Sequence, residues 1–306
     1  MKENHCPLSI VHCPLSVIVN AGSGSVEAEG TRRELIELFK ANGVEAQIHL
    51  ARTGGEIVEL ARKLVAGGAE TIVAGGGDGT VSAVAGEVLK ANKILGVLPL
   101  GTLNNFSKDL RIPQDLAEAV RVVVEKHVEF IDAGEVNGRI FINNSSIGLY
   151  PHIVRHREKQ QRLGHGKWRS AFWAAFTILR RSPFFAVRLE TEKGRRVVKT
   201  PFVFVGNNEY EMDFFNIGRR ARLDDGKLSV YFLHRSGRKG LFLLALRTLF
   251  GRLRQTKDFE EINTESITIE TRKKRILVAF DGEVEKLETP LRYKIHPKAL
   301  RVIVPE

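Results

Sequence analysis

Two glycine-rich turns hold the residues of this chain best suited to chemistry. They are Gly75-Gly76-Gly77-Asp78-Gly79-Thr80 and, further on, Pro99-Leu100-Gly101-Thr102-Leu103-Asn104-Asn105. Glycine lets a backbone approach an anion closely, a following helix offers free N–H groups and a positive dipole end, and Asp78 can serve a metal or a sugar hydroxyl. One such turn is also common punctuation between a strand and a helix. Two of them sharing a Gly-Thr element point to phosphate handling. Near the other end lies Phe280-Asp281-Gly282-Glu283. Phosphoryl transfer to a hydroxyl needs an acceptor for the hydroxyl proton, and a carboxylate beside Mg²⁺ can take it, so Asp281 and Glu283 are the candidates. On a strand-like segment the two side chains would share a face, with Gly282 leaving the position between them clear. On spacing alone a solvated Asp-Gly hairpin turn is the plainer reading, and the companion motifs are what favour chemistry.

Those motifs together resemble the diacylglycerol kinase catalytic family, which holds bacterial lipid kinases, sphingosine kinases and ceramide kinases. GGDGT followed by PLGTLN-NF carries the likeness, Asn20-Ala21-Gly22-Ser23-Gly24 is similar to the family's first nucleotide loop, and Asp281-Gly282-Glu283 resembles its catalytic DGE. The likeness spans nearly the whole chain, in order. It implies an ATP- and Mg²⁺-dependent lipid kinase that moves the γ-phosphate to a diacylglycerol- or sphingoid-like hydroxyl. Nucleotide contacts are then expected from Asn20, Gly22, Gly24, Thr53, Gly76, Gly77, Asp78, Gly79, Thr80, Gly101, Thr102 and Asn104. Thr53 suits a helix N-cap equally well. Glu283 is the implied proton acceptor and Asp281 its close partner, two roles that sequence does not separate. Leu223-Asp224-Asp225-Gly226-Lys227-Leu228 resembles the family's structural magnesium loop, which implies the Asp225 side chain with the carbonyls of Arg222 and Lys227 as ligands. A simple Asp225-Gly226 turn is the alternative. Asp132 retains one carboxylate of the family's catalytic water and magnesium network. Asn105 stands where relatives usually carry Asp, and Ser82 where Asn commonly follows GGDGT. A different proton acceptor, slow turnover or a non-kinase role are therefore all open.

Open α/β sheets bind ligands at strand carboxyl ends, and both glycine turns follow short aliphatic runs and precede helical patterns. Residues 1–130 read as alternating strands and helices: a strand at Ser16–Val19, a helical face of Leu35, Ile36, Leu38 and Phe39, and a strand at Ala46–Leu50. A face of Ile57, Leu60, Ala61, Leu64 and Val65 follows, then a short helix at Leu103–Leu110 and another at Leu116–Glu125. This predicts a parallel, doubly wound α/β domain, which the resemblance implies is phosphofructokinase-like and nucleotide-binding. Residues 131–296 turn strand-like, with hairpins at Asn137-Gly138 and Lys193-Gly194 joining Phe185–Glu192 to Arg195–Val205. Further strands are expected at Leu228–Leu233, Ser266–Thr271, Ile276–Phe280 and Tyr293–His296, giving an antiparallel β-sandwich with basic helical insertions. Arg301–Val304, within 297–306, is expected to rejoin the first domain.

The 306 residues carry 47 Lys and Arg against 36 Asp and Glu, a formal charge of +11, and 43% hydrophobic residues. That is enough for two cores and suits anionic partners, without choosing among ATP, nucleic acid and lipid headgroups. The excess is uneven: Arg155–Arg181 has eight Lys or Arg against Glu158 alone, interleaved with Trp168, Phe172, Trp173 and Phe176. Arg235–Lys257 has seven and no acid. Basic helices with aromatic and leucine faces suit the boundary of an anionic membrane, although an apolar face buried in a core fits the same pattern. No apolar run approaches the roughly 20 residues of a membrane span and no cationic leader precedes one, so a cytoplasmic, peripherally membrane-associated protein is expected. Cys6 and Cys13, in tandem His-Cys-Pro-Leu-Ser repeats, exclude a disulfide framework and match no zinc spacing. No recognisable reading helix or RNA-binding signature is present, so nucleic acid is not an expected partner. A homodimer is left open. The competing readings are a catalytically weak lipid- or nucleotide-binding regulator and a soluble NAD kinase-like enzyme.

Overall fold

A computed structural model of the chain describes residues 15–22, 25–148, 151, 184–192, 194–213, 216–220, 222–233 and 259–306. The Cys6 and Cys13 repeat, Gly24, and the basic stretches 155–181 and 235–257 lie outside the described residues.

The first part runs β1 (Leu15–Asn20), α1 (Ser25–Ala41), β2 (Ala46–Ala51), α2 (Gly54–Ala66), β3 (Thr71–Gly76), α3 (Asp78–Lys90), β4 (Ile94–Pro99), α4 (Asn105–Asp109) and α5 (Leu116–Glu125). The four strands are parallel in the order β2-β1-β3-β4. Helix α2 packs on α3, and α1 on α5. Ile72, Val73 and Ala74 are fully buried, as expected of a parallel strand covered on both faces. The order reverses at β1: one connection leads out to β2 and the next leads back to β3. A crevice at the strand carboxyl ends belongs at that reversal. Local signals set the helix ends. Thr53 caps α2, Asp115 caps α5 by accepting the Glu118 N–H at 3.0 Å, and Gly43 takes φ +74° just past α1. Two expectations are corrected. Ile36 is 41% exposed beside fully buried Leu35 and Phe39, because the i, i+4 stripe of α1 is narrower than the apolar run. The helix expected at Leu103–Leu110 shrinks to α4, since Asn104 adopts the left-handed region at φ +50° and blocks an earlier start.

The second part comprises β5 (Val128–Val136), β6 (Arg139–Phe141), β7 (Asn144–Gly148), β8 (Phe185–Thr191), β9 (Gly194–Thr200), β10 (Phe202–Asn207), β11 (Tyr210–Asp213) and β12 (Asn216–Arg220). It continues with β13 (Leu228–Leu233), β14 (Phe259–Thr264), β15 (Ser266–Thr271), β16 (Arg275–Phe280), β17 (Glu283–Glu288) and β18 (Leu291–Ile303). One antiparallel sheet runs β14-β13-β10-β7-β16-β17, while β18, β15, β8 and β9 extend the parallel sheet beyond β4, with β5 and β6 paired alongside β18. Between them lies a core of Phe141, Ile147, Val203, Val205, Val230, Phe232, Ile267, Ile269, Val278, Leu291 and Tyr293. The molecule is thus an α/β domain with a parallel sheet plus an antiparallel β-sandwich.

The run expected as one strand, Arg195–Val205, is cut at Pro201, and its halves β9 and β10 belong to different sheets. Proline lacks the N–H that a continuous ladder needs. Conversely, Tyr293–His296 and the expected Arg301–Val304, apart from Val304 just past its end, belong to the single strand β18, with a register shift between His296 and Leu300 where Lys298 takes φ +50°. The early residues of β18 pair with β15 and its last residues pair in parallel with β4. Leu291, Tyr293 and Ile295 accordingly sit in the sandwich core, and Leu300, Val302 and Ile303 in the α/β core.

Candidate active site

The two glycine turns meet backbone to backbone. A Cβ on Gly101 would lie 2.3 Å from Gly77 Cα, so the second turn reaches the first only because Gly101 carries no side chain. Asn104, buried, fixes the second turn: its Oδ1 accepts the Gly101 N–H at 3.0 Å and its Nδ2 donates to the Gly101 and Pro99 carbonyls at 2.9 and 3.2 Å. Asp78 links the turns from the other side, its Oδ1 accepting from Phe106 N–H at 2.9 Å and its Oδ2 from Asn105 N–H at 3.1 Å. A carboxylate has about four lone-pair sites, so Asp78 retains acceptor capacity beyond these two bonds. Across the reversal in strand order, Asn20 accepts the Gly22 N–H at 2.9 Å and donates to Thr80 Oγ1 at 3.1 Å. Gly77 forms the N-cap of α3 with no side-chain capping bond, which leaves the first-turn N–H groups of that helix without a capping side chain. Gly76 packs against the Thr80 side chain, Gly79 is partly exposed, and Thr102 is exposed at the rim. Thr53 accepts from Glu56 N–H at 3.2 Å, so the N-cap alternative accounts for its side chain.

The late acidic motif folds over this cradle. The Cβ position of Gly79 lies 3.7 Å from Glu283 Oε1 and 3.9 Å from the Asp281 carbonyl oxygen, and that of Gly54 lies 3.4 Å from Glu283 Oε1. Asp281 and Gly282 form the two-residue turn between β16 and β17, both at positive φ (+47° and +90°). This corrects the expectation of one strand face. Asp-Gly suits the hairpin turn whose twist matches its flanking strands, and residues in such a turn do not alternate. The Asp281 half of the turn is nevertheless not solvated. Asp281 is buried and accepts four hydrogen bonds: Ser82 Oγ at 2.6 Å and the N–H groups of Ile142, Asn143 and Asn144 at 2.7, 2.9 and 3.0 Å. Burial pushes its carboxyl above the usual range, while the Ser82 hydroxyl and the three N–H groups oppose that rise. Glu283, one position beyond Gly282, is exposed toward the cradle.

Asp132 and the Asp225 loop form a separate cluster. Asp132 is fully buried, its Oδ2 accepting from Gly226 N–H at 2.6 Å and its Oδ1 from Lys298 N–H at 2.7 Å. It therefore braces the loop against the irregularity in β18 rather than presenting a carboxylate to solvent. Asp225 Oδ1 lies 3.1 Å from Arg222 Nε, and the Lys227 carbonyl accepts from Asn208 N–H at 3.0 Å. Among the described residues no group of three or more His, Cys, Asp or Glu side chains is arranged to hold a metal ion. The loop is held by an internal guanidinium and by Asp132.

Sequence reasoning passed over Ser82 as a positioning group, the 142–144 N–H groups and Gly54. The turn-prone run Asn143-Asn144-Ser145-Ser146 was the available signal for the 142–144 segment.

The diacylglycerol kinase catalytic domain model matches residues 14–136, and the YegS C-terminal NAD kinase beta sandwich-like domain model matches residues 150–304. A Staphylococcus aureus protein named diacylglycerol kinase is 28% identical over 226 residues, 72% of this chain and 70% of the relative. A Klebsiella pneumoniae protein named "Probable lipid kinase YegS-like" is 32% identical over 141 residues, 45% of this chain and 47% of the relative. A crystal structure of a diacylglycerol kinase from Bacillus anthracis str. Sterne superposes with a TM-score of 0.66 at 22% identity, over 95% of this chain and 97% of that one, a likeness of fold. Described helices include none long and apolar enough to cross a membrane. Glycine cradle, overlying acidic hairpin and both matched domains agree: the chain belongs to the diacylglycerol kinase catalytic family and is a phosphotransferase with an alcohol group as acceptor.

Proposed function

We propose that this protein is an ATP- and Mg²⁺-dependent lipid kinase acting on the primary hydroxyl of a diacylglycerol- or sphingoid-like lipid. The observation that supports it most is the Glu283 carboxylate lying against Gly79 and Gly54, residues more than two hundred positions earlier in the chain. The cradle fits a polyphosphate on two features: an α3 N-terminus with no side-chain cap, and an approach of Gly101 to Gly77 that a Cβ on Gly101 would fill. Gly76, Gly77, Gly79, Thr80 and Gly101 would hold the phosphates, with Asn20 and Thr102 at the edges. Asp78, with acceptor capacity left, is the side chain available to a magnesium ion that takes most of its ligands from phosphates and water. Bound ATP and Mg²⁺ supply the electrophilic phosphorus and offset the charge that builds up during transfer.

Within this reading Glu283 accepts the proton of the lipid hydroxyl while the new O–P bond forms and the bond to the ADP oxygen breaks. Asp281, its oxygens engaged by four donors, holds the hairpin that aims Glu283 and takes no proton from substrate. The Asp225 loop contributes no step. The test is incubation of purified protein with labelled ATP and Mg²⁺, together with a total lipid extract and, in a parallel reaction, NAD. A labelled lipid is the expected product. Label on NAD instead, or binding of ATP without transfer, would replace this reading by the NAD kinase-like or the regulatory one; exposed Asn105, an amide at the cradle rim, is the residue that favours the latter.

A lipid kinase must also meet its substrate at a surface. The basic, aromatic-rich stretches 155–181 and 235–257 suit that task, each cation near an anionic surface contributing about 1 kcal/mol. Vesicles containing phosphatidylserine are expected to float the protein at low salt and release it as salt rises, and flotation indifferent to salt argues against an electrostatic dock.

A further inference from the structure

We propose that Arg220 is a positioning residue that keeps the Asp281–Glu283 hairpin in register with the glycine cradle. This rests on the kinase reading above. Arg220 ends β12, and its guanidinium is completely buried. Nε donates to Asp109 Oδ2 at 2.8 Å, Nη1 to the carbonyls of Ile142 and Asn207 at 2.6 and 3.2 Å, and Nη2 to Asn143 Oδ1 at 2.9 Å. The rings of Phe106 and Tyr210 lie 5.9 and 5.5 Å from its central carbon. A buried cation demands such company, and the planar fork of arginine, with five N–H donors, reaches acceptors on Asp109, Ile142, Asn143 and Asn207 at once.

The partners lie on both halves of the site. Asp109 and Phe106 belong to α4, whose first N–H groups are held by Asp78 in the glycine turn. Ile142 and Asn143 belong to the segment whose N–H groups hold Asp281, and Asp281 accepts in turn from Ser82 on α3, the helix that Asp78 opens. The contacts close a circuit from Asp78 through α4, Arg220, the 142–144 segment, Asp281 and Ser82 back to α3. Every link is a short polar bond or a ring contact. Opened at Arg220, the circuit still leaves the glycine turns fixed by Asn104 and Asp78, while the 142–144 segment and the Asp281 hairpin it holds lose their tie to α4. Among the described contacts, Arg220 touches none of the cradle glycines. Its loss therefore leaves the phosphate-binding N–H groups in place and lets the carboxylate of Glu283 drift relative to them.

The test compares wild type with Arg220→Lys, which keeps the charge and loses the fork, using labelled ATP and lipid extract. Misplacement of about 1 Å can cost about 100-fold in rate, so kcat is expected to fall by about 10- to 100-fold. KM for ATP should stay within about twofold, because ground-state nucleotide contacts are untouched. Amide hydrogen exchange at residues 142–144 should accelerate. A folded variant with wild-type kcat, or a changed KM at unchanged kcat, overturns the proposal. If Arg220→Lys does not fold, Asp109→Asn decides in the same way: lowered kcat at constant KM supports the clamp, and unchanged kcat removes it. Wild type that transfers no phosphate defeats the kinase reading, whereas unaltered exchange at 142–144 in the variants defeats the clamp by itself.

Discussion

An acid that takes a proton from substrate needs an oxygen that reaches the reacting hydroxyl, and Asp281 has both of its oxygens engaged by Ser82 and the 142–144 backbone. Glu283 lies over Gly79 with its carboxylate toward the cradle. Replacing Glu283 by Gln keeps shape and removes basicity. Loss of a general base typically costs about 10²- to 10⁴-fold, and kcat should fall by that order. KM for ATP should hold, since Gly76–Thr80 and Gly101 are untouched, and steady-state kinetics at saturating lipid reads both; full turnover by the variant removes Glu283 from the mechanism. Both acids, and both glycine turns, were legible as residue types in order. Their division of labour was not. It depends on Ser82 and on a segment about 140 residues before the turn, which no local spacing reveals.

At the scale of elements, the cradle is two turns in contact, and the contact is steric before it is chemical. Gly101→Ala places a methyl group where Gly77 Cα already lies. Overpacking of this kind costs about 1–3 kcal/mol, so a lower melting temperature is expected, together with a raised KM for ATP as the turns separate. Calorimetry and ATP titration measure the two effects, and a variant with both unchanged shows the turns are not held by this contact. Turn chemistry also explains what was legible here. Asn137-Gly138 forms a hairpin with both residues at positive φ, as its composition predicts. The Asp281-Gly282 hairpin was weighed only as solvated, because its burial comes from β7 and α3 rather than from its own residues. Strand β7, central in its sheet, was missed: its polar run Asn144-Ser145-Ser146 lacks the apolar alternation that marks a strand, since Ser145 is held by the Ala279 carbonyl and by Tyr293.

For the whole molecule, β18 decides how the halves behave. One strand supplies Leu291, Tyr293 and Ile295 to one core and Leu300, Val302 and Ile303 to the other. Leu300→Ala should cost about 2–5 kcal/mol and shift a single calorimetric transition that includes the sandwich. Two separated transitions, with only one moved, would show that the cores melt independently. The sequence showed the two architectures because strand period and helix period differ. It hid their junction because Pro297 interrupts β18 and makes one strand read as two. The same strand imposes an order on the making of the protein. A nascent chain that has exposed only its glycine turns lacks the strand beside β4, and it lacks the Glu283 hairpin that lies over Gly79 as well. Until β18 arrives, the unpaired β4 edge is open to other strands and to chaperones.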